Sequence, residues 1–167
     1  MSNPHSQHPN PHSLIPNSHS PISNIHSPIP IPQFLEGKKH QDERGIITFN
    51  NDFDATSIKR MYTIENADVD FIRGWQGHKM EQRWFSAIKG SFKIQILSIA
   101  FFEKGLKGLQ PYGFVLKADQ MDILHVPAGF VSSIQALEVG AKLLVLADYK
   151  MGEVNDEFRF EYHPDDF

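Results

Sequence analysis

The most constraining feature of this sequence is a period-two alternation of side chains in short segments. Ile58, Arg60, Tyr62 and Ile64 fall on one side of an extended strand, and Phe92–Ile96 repeats the alternation. Gly and Pro separate such segments, and no stretch shows the 3.6-residue period of an amphipathic helix longer than about two turns. The pattern therefore predicts an all-β chain of about six to nine short antiparallel strands, arranged as a sandwich, barrel or jelly roll.

Further predicted strands lie in the second half of the chain. Each is a short run rich in aliphatic and aromatic residues and bounded by Gly or Pro. These runs are Tyr112–Leu116, Met121–Val126, Val131–Leu137 and Lys142–Tyr149.

The first part of the chain differs in composition from the rest. From Met1 to about Gln33 it is a degenerate Ser-His-Pro repeat, and every Lys, Arg, Asp and Glu lies at or beyond Glu36. Proline removes amide donors and disfavours helix in its predecessor, so we expect a disordered tail over residues 1–35 and one domain over residues 36–167. The tail histidines could also bind a soft divalent metal, although an unstructured extension is the simpler interpretation.

Composition excludes several classes of protein. The 167 residues include no cysteine, which rules out a disulfide-stapled domain and a zinc-thiolate site. A net charge of -4 argues against nucleic-acid binding. The sequence has neither the basic and apolar regions of a secretory signal nor an apolar run long enough for a membrane span, so we expect no membrane association and a cytoplasmic location.

Six motifs in a fixed order resemble a known enzyme family. They are Asp42-Glu43-Arg44-Gly45, Ile58-Lys59-Arg60-Met61-Tyr62, Arg73-Gly74-Trp75-Gln76-Gly77-His78-Lys79, Gly90-Ser91-Phe92, Val126-Pro127-Ala128-Gly129-Phe130 and Val145-Leu146-Ala147-Asp148-Tyr149. Together they resemble the cupin-type dTDP-sugar enzymes, namely the dTDP-4-dehydrorhamnose 3,5-epimerases and, more closely, the dTDP-4-keto-6-deoxyhexose 3,4-ketoisomerases with the WxcM-like domain. The resemblance covers roughly Gln41 to Tyr149. It implies an antiparallel jelly-roll (cupin) barrel, a homodimer that exchanges N-terminal strands, and a nucleotide-linked keto sugar bound at the barrel mouth.

The chemistry implied by the resemblance is proton transfer next to a ketone. A base removes the proton alpha to the carbonyl, and an acid returns a proton at another atom or face. His78 is the candidate base, because it matches the second histidine of the ketoisomerase pattern R-G-G-H-A-H-K. Gln76 stands at the first histidine, which is also the base position of R-G-x-H in the 3,5-epimerases, and glutamine cannot accept a proton at neutral pH. The alternative for His78 is a histidine that is merely hydrogen-bonded in the barrel wall.

Tyr62 and Arg60 form a candidate polar pair on one strand face. Tyr62 matches the tyrosine of the family segment K-R-V-Y and could hydrogen-bond the sugar or return a proton. Both side chains enter the barrel if Ile58 and Ile64 face inward, and an anionic ligand would then explain the arginine. The opposite assignment of faces makes Arg60 an ordinary surface charge.

The remaining predicted substrate-binding residues carry charge or hydrogen-bonding groups. Arg73 matches the R-G arginine expected near the carbonyl or phosphate. Arg44 resembles the nucleotide-contacting arginine of D-x-R-G, acting across a dimer interface, and a turn-stabilising salt bridge is its alternative. Gln76, Lys79 and Arg83 complete the predicted set.

Metal binding is tested by the cupin motif G-x5-H-x-H-x(3,4)-E-x6-G. Counting back from Gly90 places its glutamate at Arg83 and its paired histidines at Gln76 and His78. The second motif, P-x-G-x2-H-x3-N, places its histidine at Ser132. Most ligand positions therefore lack a donor suited to a transition metal, and we expect neither a barrel metal nor another cofactor.

Three functional hypotheses remain open. The first is a nucleotide-sugar isomerase or epimerase acting on a dTDP-4-keto-6-deoxyhexose in deoxysugar synthesis for a surface polysaccharide. The second is a related cupin that binds a nucleotide sugar or related ligand without turnover, which Gln76, Arg83 and Ser132 would favour. The third, a sensor or scaffold that interacts through its tail, rests on composition alone.

Overall fold

The computed structural model describes residues 30–102 and 110–160, and almost all regular structure in these residues is β-strand. The described elements, in chain order, are β1 (Gln33–Leu35), β2 (Lys38–Asp42), β3 (Gly45–Phe49), β4 (Arg60–Ile64), β5 (Ile72–His78), β6 (Arg83–Lys89), β7 (Ser91–Ser98), α1 (Ile99–Phe102), β8 (Tyr112–Lys117), β9 (Ile123–Val126), β10 (Phe130–Ala136), β11 (Lys142–Ala147) and β12 (Glu157–Arg159). No helix among them is long and apolar enough to cross a membrane.

Two five-stranded antiparallel sheets form the body of the domain. The first has the order β1-β9-β6-β11-β4, and the second has the order β12-β5-β10-β7-β8. The strands β2 and β3 form a separate hairpin. Neighbours in each sheet are mostly distant in sequence, as in Greek-key and jelly-roll folds.

The core lies between the two sheets. Phe85, Leu143 and Val145 of the first sheet join Ile94 and Leu116 of the second in one cluster of almost fully buried side chains. These residues occupy alternate positions on their strands, so the period-two pattern directs apolar side chains to a shared interior. Burying each such side chain contributes roughly 1.5–3 kcal/mol, which makes this cluster the main source of stability.

A second cluster covers the outer face of the second sheet. Trp75 on β5 and Val131 on β10 are fully buried there, and Phe158 of β12 packs against them. The packing of Trp75 in this second cluster shows which side of β5 faces outward. The residues that alternate with Trp75 consequently face the interior between the sheets.

The predicted all-β antiparallel fold is confirmed, with two qualifications. No ladder joins the two five-stranded sheets in the described residues, so the jelly roll is not a closed barrel. The strand β1 lies inside the segment 1–35 that the composition assigns to the tail, because Gln33 to Leu35 pair with β9. Residues 1–29 of that tail lie outside the described residues.

Candidate functional site

The register of the first sheet places two arginines side by side. Ala147 on β11 pairs with Arg60 on one neighbouring strand and with Arg83 on the other. Directly opposed residues point to the same face of a sheet, so both guanidinium groups flank the small side chain of Ala147. Two partly buried cations in one row are stabilised by a nearby counter-ion.

Glu81 supplies this counter-ion from the connection between β5 and β6. Its carboxylate is buried and accepts hydrogen bonds from Arg60 Nη2 at 3.0 Å and from Arg83 Nε at 2.9 Å, both to Oε1. Arg60 also reaches Oε2 at 3.3 Å. Glu81 therefore holds both arginines in fixed positions at one end of the first sheet.

Strand β5 contributes the facing wall. Gln76 and His78 alternate with Trp75 and Gly77, so they face inward while Trp75 packs outward. Gly77 allows β10 to approach closely, since a Cβ there would lie 2.0 Å from the carbonyl oxygen of Phe130. The backbone at this point has no room for a side chain, and this closeness helps bury His78.

His78 is engaged at both ring nitrogens. Its Nδ1 lies 2.8 Å from Oδ1 of Asp156, in the segment just before β12. Its Nε2 is in contact with Nη2 of Arg83 and lies 3.5 Å from Oε1 of Glu81. A carboxylate accepts and a guanidinium donates, so Nδ1 carries the ring proton and Nε2 holds the lone pair.

Asp156 accepts hydrogen bonds from three different donors. Besides His78, it accepts the backbone amides of Met80 at 2.7 Å and Glu81 at 3.0 Å through Oδ2. Burial raises the pKa of Asp156, but the hydrogen bonds from His78 and from the two amides outweigh burial and hold it below its ordinary value. Asp156 is therefore ionised at neutral pH and fixes the orientation of His78.

These residues line a cavity of about 770 Å³ between the two sheets. That volume falls in the range of roughly 300–1,000 Å³ that is typical of small-molecule sites. Tyr62 and Ile134 contribute apolar surface, and residues 150–156 pass along one side. The mixture of a hydrophobic wall and converging charged groups is typical of a ligand site.

Two arginine groups in the cavity remain available to a ligand. Arg73 has no carboxylate within ion-pair distance among residues 30–102 and 110–160, and its side chain is exposed at the cavity. The Nε of Arg60 is buried without a hydrogen-bond partner in the described part of the chain. An oxygen-rich anion could satisfy both donors.

The structure brings six of the eight sequence-predicted site residues into this cavity. They are His78, Tyr62, Arg60, Arg73, Gln76 and Arg83. The inward assignment of the Arg60 and Tyr62 face is the one observed, since Met61 and Thr63 are exposed and Tyr62 packs against the core.

Two predicted residues lie outside the cavity. Arg44 is exposed at the turn of the β2–β3 hairpin, where its guanidinium pairs with Asp42 at 2.5 Å, which is the alternative considered for it. The ammonium group of Lys79 points the other way from His78 and lies 4.6 Å from the ring centre of Phe158. Neither side chain lines the cavity.

The other described histidines lie away from the cavity. His40 is exposed on the hairpin. His125 stacks on Trp84 at 4.7 Å on the outer face of the first sheet, and burial lowers its pKa despite the opposing effect of Asp148. His163 lies outside the described residues. His78 is thus the histidine that the described structure brings to the cavity.

Sequence reasoning missed Glu81 and Asp156. Glu81 lies three residues after His78, at a connection that no alternation marks. Asp156 lies beyond Tyr149, where the family resemblance ends, and only its position just before the alternating segment Glu157–Phe160 hints at a strand edge. Both are apparent only from the fold, because their partners are distant in sequence or lie on other strands.

The residues that align with the metal-ligand positions of the cupin motif lie close together in the structure. Gln76, His78, Arg83 and Ser132, which align with cupin ligand positions, all line the same cavity. In the described residues, no group of three or more His, Asp, Glu or Cys side chains is arranged to hold a metal ion. Arg83 places a fixed cation where that motif would place a carboxylate.

Comparisons with known proteins identify the family of the chain. A family model described as "FdtA: WxcM-like, C-terminal" matches residues 32–162. No curated protein matches the chain in sequence.

Several solved structures share the fold. The 3,4-ketoisomerase QdtA from Thermoanaerobacterium thermosaccharolyticum, a mutant in complex with TDP-4-keto-6-deoxyglucose, matches with a TM-score of 0.60 and 22% identity over 77% of this chain and 87% of that chain. A 3,4-ketoisomerase from Helicobacter canadensis matches with a TM-score of 0.60 and 24% identity over 77% and 90%. The rmlC epimerase of Mycobacterium tuberculosis matches with a TM-score of 0.60 and 14% identity over 79% and 70%.

Proposed function

The chain belongs to the WxcM-like, C-terminal family, and on that premise we propose that it is an isomerase or epimerase of a TDP-linked 4-keto-6-deoxy sugar. The observation that carries the proposal is His78, buried in the cavity wall with Nδ1 held by Asp156 and Nε2 directed toward Arg83. A histidine oriented by a carboxylate is suited to remove a proton from carbon. The solved neighbours include an enzyme bound to TDP-4-keto-6-deoxyglucose, which supports this substrate class.

The proposed reaction begins at the carbon next to the ketone. His78 Nε2 takes the proton, the C–H electron pair becomes a carbon–carbon double bond, and the carbonyl electron pair moves onto oxygen. Asp156 stabilises the imidazolium that forms, through Nδ1–H. For isomerisation the same nitrogen returns the proton to the former carbonyl carbon, while the hydroxyl on the deprotonated carbon gives up its proton to become the new ketone and the former carbonyl oxygen gains a proton to become a hydroxyl. Epimerisation instead requires a proton delivered to the original carbon on its opposite face.

The remaining cavity groups would bind the rest of the substrate. We assign Arg73 and the free Nε of Arg60 to the diphosphate oxygens, because both donors lack a carboxylate partner among the described residues. Tyr62, which lies under the Arg60 guanidinium at 5.2 Å, would contact the sugar. Gln76 can donate or accept a hydrogen bond from the sugar but cannot serve as a second base.

Deuterium exchange tests this proposal. We expect purified protein in deuterated water to incorporate deuterium at the carbon adjacent to the ketone of TDP-4-keto-6-deoxyglucose, because the proton on Nε2 exchanges with solvent before its return. Proton NMR of the recovered sugar measures the incorporation, and the no-enzyme reaction is the control. Binding of this compound without exchange would instead support the second candidate, a ligand-binding cupin, for which Gln76 at the family's histidine position is the specific observation.

The proposal extends to assembly and cellular setting, namely a cytoplasmic homodimer that supplies deoxysugars for a surface polysaccharide. Self-association is supported by Ile46 and Ile47 on the hairpin strand β3, which are 58% and 59% exposed and place one uncovered apolar side chain on each face of the hairpin near Arg44. We expect sedimentation velocity to show the mass of two chains, and Ile47→Glu to shift the protein toward one. A single-chain mass at micromolar concentration would contradict the homodimer.

A further inference from the structure

The contact between Arg83 and His78 occupies the group that the proposed reaction needs. Nδ1 is committed to Asp156, so Nε2 carries the one lone pair available to accept a proton. Arg83 Nη2 donates to that lone pair. His78 cannot act as a base until this hydrogen bond is broken.

We propose that Arg83 caps His78 in the free protein and transfers its hydrogen bond to the ketone oxygen when the keto sugar binds. The inference rests on the proposed function for its substrate, but the capped state concerns the free protein alone. Arg83 then has two successive partners, the base before binding and the developing oxyanion after it.

Three features of the site make such a transfer feasible. Arg83 Nε remains on Glu81 Oε1 at 2.9 Å, so the guanidinium can turn about a fixed anchor without losing its counter-ion. Glu81 is itself held by Arg60. Once Nη2 leaves, Glu81 Oε1 at 3.5 Å is the carboxylate nearest to the protonated Nε2.

The chemistry requires a donor at this place. From standard bond lengths, a ketone oxygen lies about 2.4 Å from the carbon that loses its proton. A base in contact with that proton and a cation in contact with that oxygen must therefore be neighbours, as His78 and Arg83 are. A guanidinium directed at the oxygen stabilises the enolate as negative charge forms on it.

Nitrogen NMR of ¹⁵N-histidine-labelled full-length protein tests the cap. At slightly alkaline pH, the Nε2 resonance of His78, identified by its loss in His78→Gln, should move downfield in Arg83→Gln because the lone pair no longer accepts a hydrogen bond. Lys93→Gln, which removes an exposed cation on β7, should leave it unchanged. An unchanged resonance in Arg83→Gln would overturn the capped state.

The transfer is tested by adding ligands to the wild-type protein. TDP-4-keto-6-deoxyglucose should produce the same downfield movement, whereas TDP, which has no ketone, should not. A movement with TDP alone would overturn the ketone as the new partner. If the keto sugar does not bind at all, both the transfer and the proposed function are overturned. The capped state of the free protein is tested independently, by the Nε2 resonance in Arg83→Gln.

Exchange kinetics separate this role from a structural one. Arg83→Gln should lower the maximal rate of deuterium incorporation by about 10²–10³-fold with little change in the KM for the sugar. Arg83→Lys, which keeps a donor and the charge but not the forked geometry, should recover about tenfold of that loss. An increase in KM with an unchanged maximal rate would assign Arg83 to binding and overturn the proposal.

Discussion

His78→Gln is expected to lower deuterium incorporation into TDP-4-keto-6-deoxyglucose by about 10³-fold or more, since removing a positioned acid-base group typically costs about 10²–10⁴ in rate. Glutamine keeps a polar side chain of similar reach but has no lone pair that takes up a proton at neutral pH. The described cavity offers no other histidine, because His40 and His125 lie elsewhere. Proton NMR of the sugar over time measures the rate.

Binding must be followed separately in this experiment. The thermal shift produced by TDP should remain in His78→Gln, since a ligand that binds the native state raises its stability. Arg73→Ala should show the opposite behaviour, with about tenfold weaker TDP binding but near-normal exchange at saturating sugar. Full exchange in His78→Gln would remove His78 from the role of base, and loss of TDP binding there would assign it to the ligand pocket instead.

The sequence predicts the fold well where one strand face is apolar. On β4 the alternation puts Arg60 and Tyr62 on the same face as Ile64 but leaves open which face is buried, and the structure turns this face inward because Ile64 packs against the core. The strand β5 is harder to recognise, since Arg73-Gly-Trp-Gln-Gly-His78 has its large apolar residue, Trp75, on the outer face. That inversion exists because β12 covers the sheet there, which is a tertiary effect invisible to local pattern.

The candidate site is predictable in its cations but not in its anions. Arg60, Arg73 and Arg83 lie in or beside recognisable motifs. Glu81 and Asp156 derive their meaning from partners brought close by sheet register and by the return of the chain at β12. The local sequence does not specify which distant residues pair, so the network that orients His78 is apparent only from the three-dimensional structure.

The second large effect is expected on stability. Asp156→Asn should lower the free energy of unfolding by about 2–4 kcal/mol at neutral pH, because leaving buried donors unsatisfied near a lost charge is costly. The asparagine NH₂ group must face either the two amide donors of Met80 and Glu81 or Nδ1–H of His78. In either orientation a donor faces a donor, and at least one hydrogen bond is lost. Urea unfolding followed by circular dichroism measures the difference, and Asp119→Asn, at an exposed carboxylate in a turn, is the matched control.

The pH dependence of this difference follows from the lowered pKa of Asp156. Burial raises that pKa, but the hydrogen bonds from His78 and the two amides lower it by more than burial raises it. The folded protein therefore binds the proton less readily than the unfolded chain, whose Asp titrates near about 4. The stabilisation by the carboxylate is therefore fully present above about pH 4 and is lost as the pH falls through the lower folded value. Wild type and Asp156→Asn should thus converge in stability in acid. A gap that persists unchanged at the lowest pH where the fold survives would mean that Asp156 acts through packing, and its charge would then not be what orients His78.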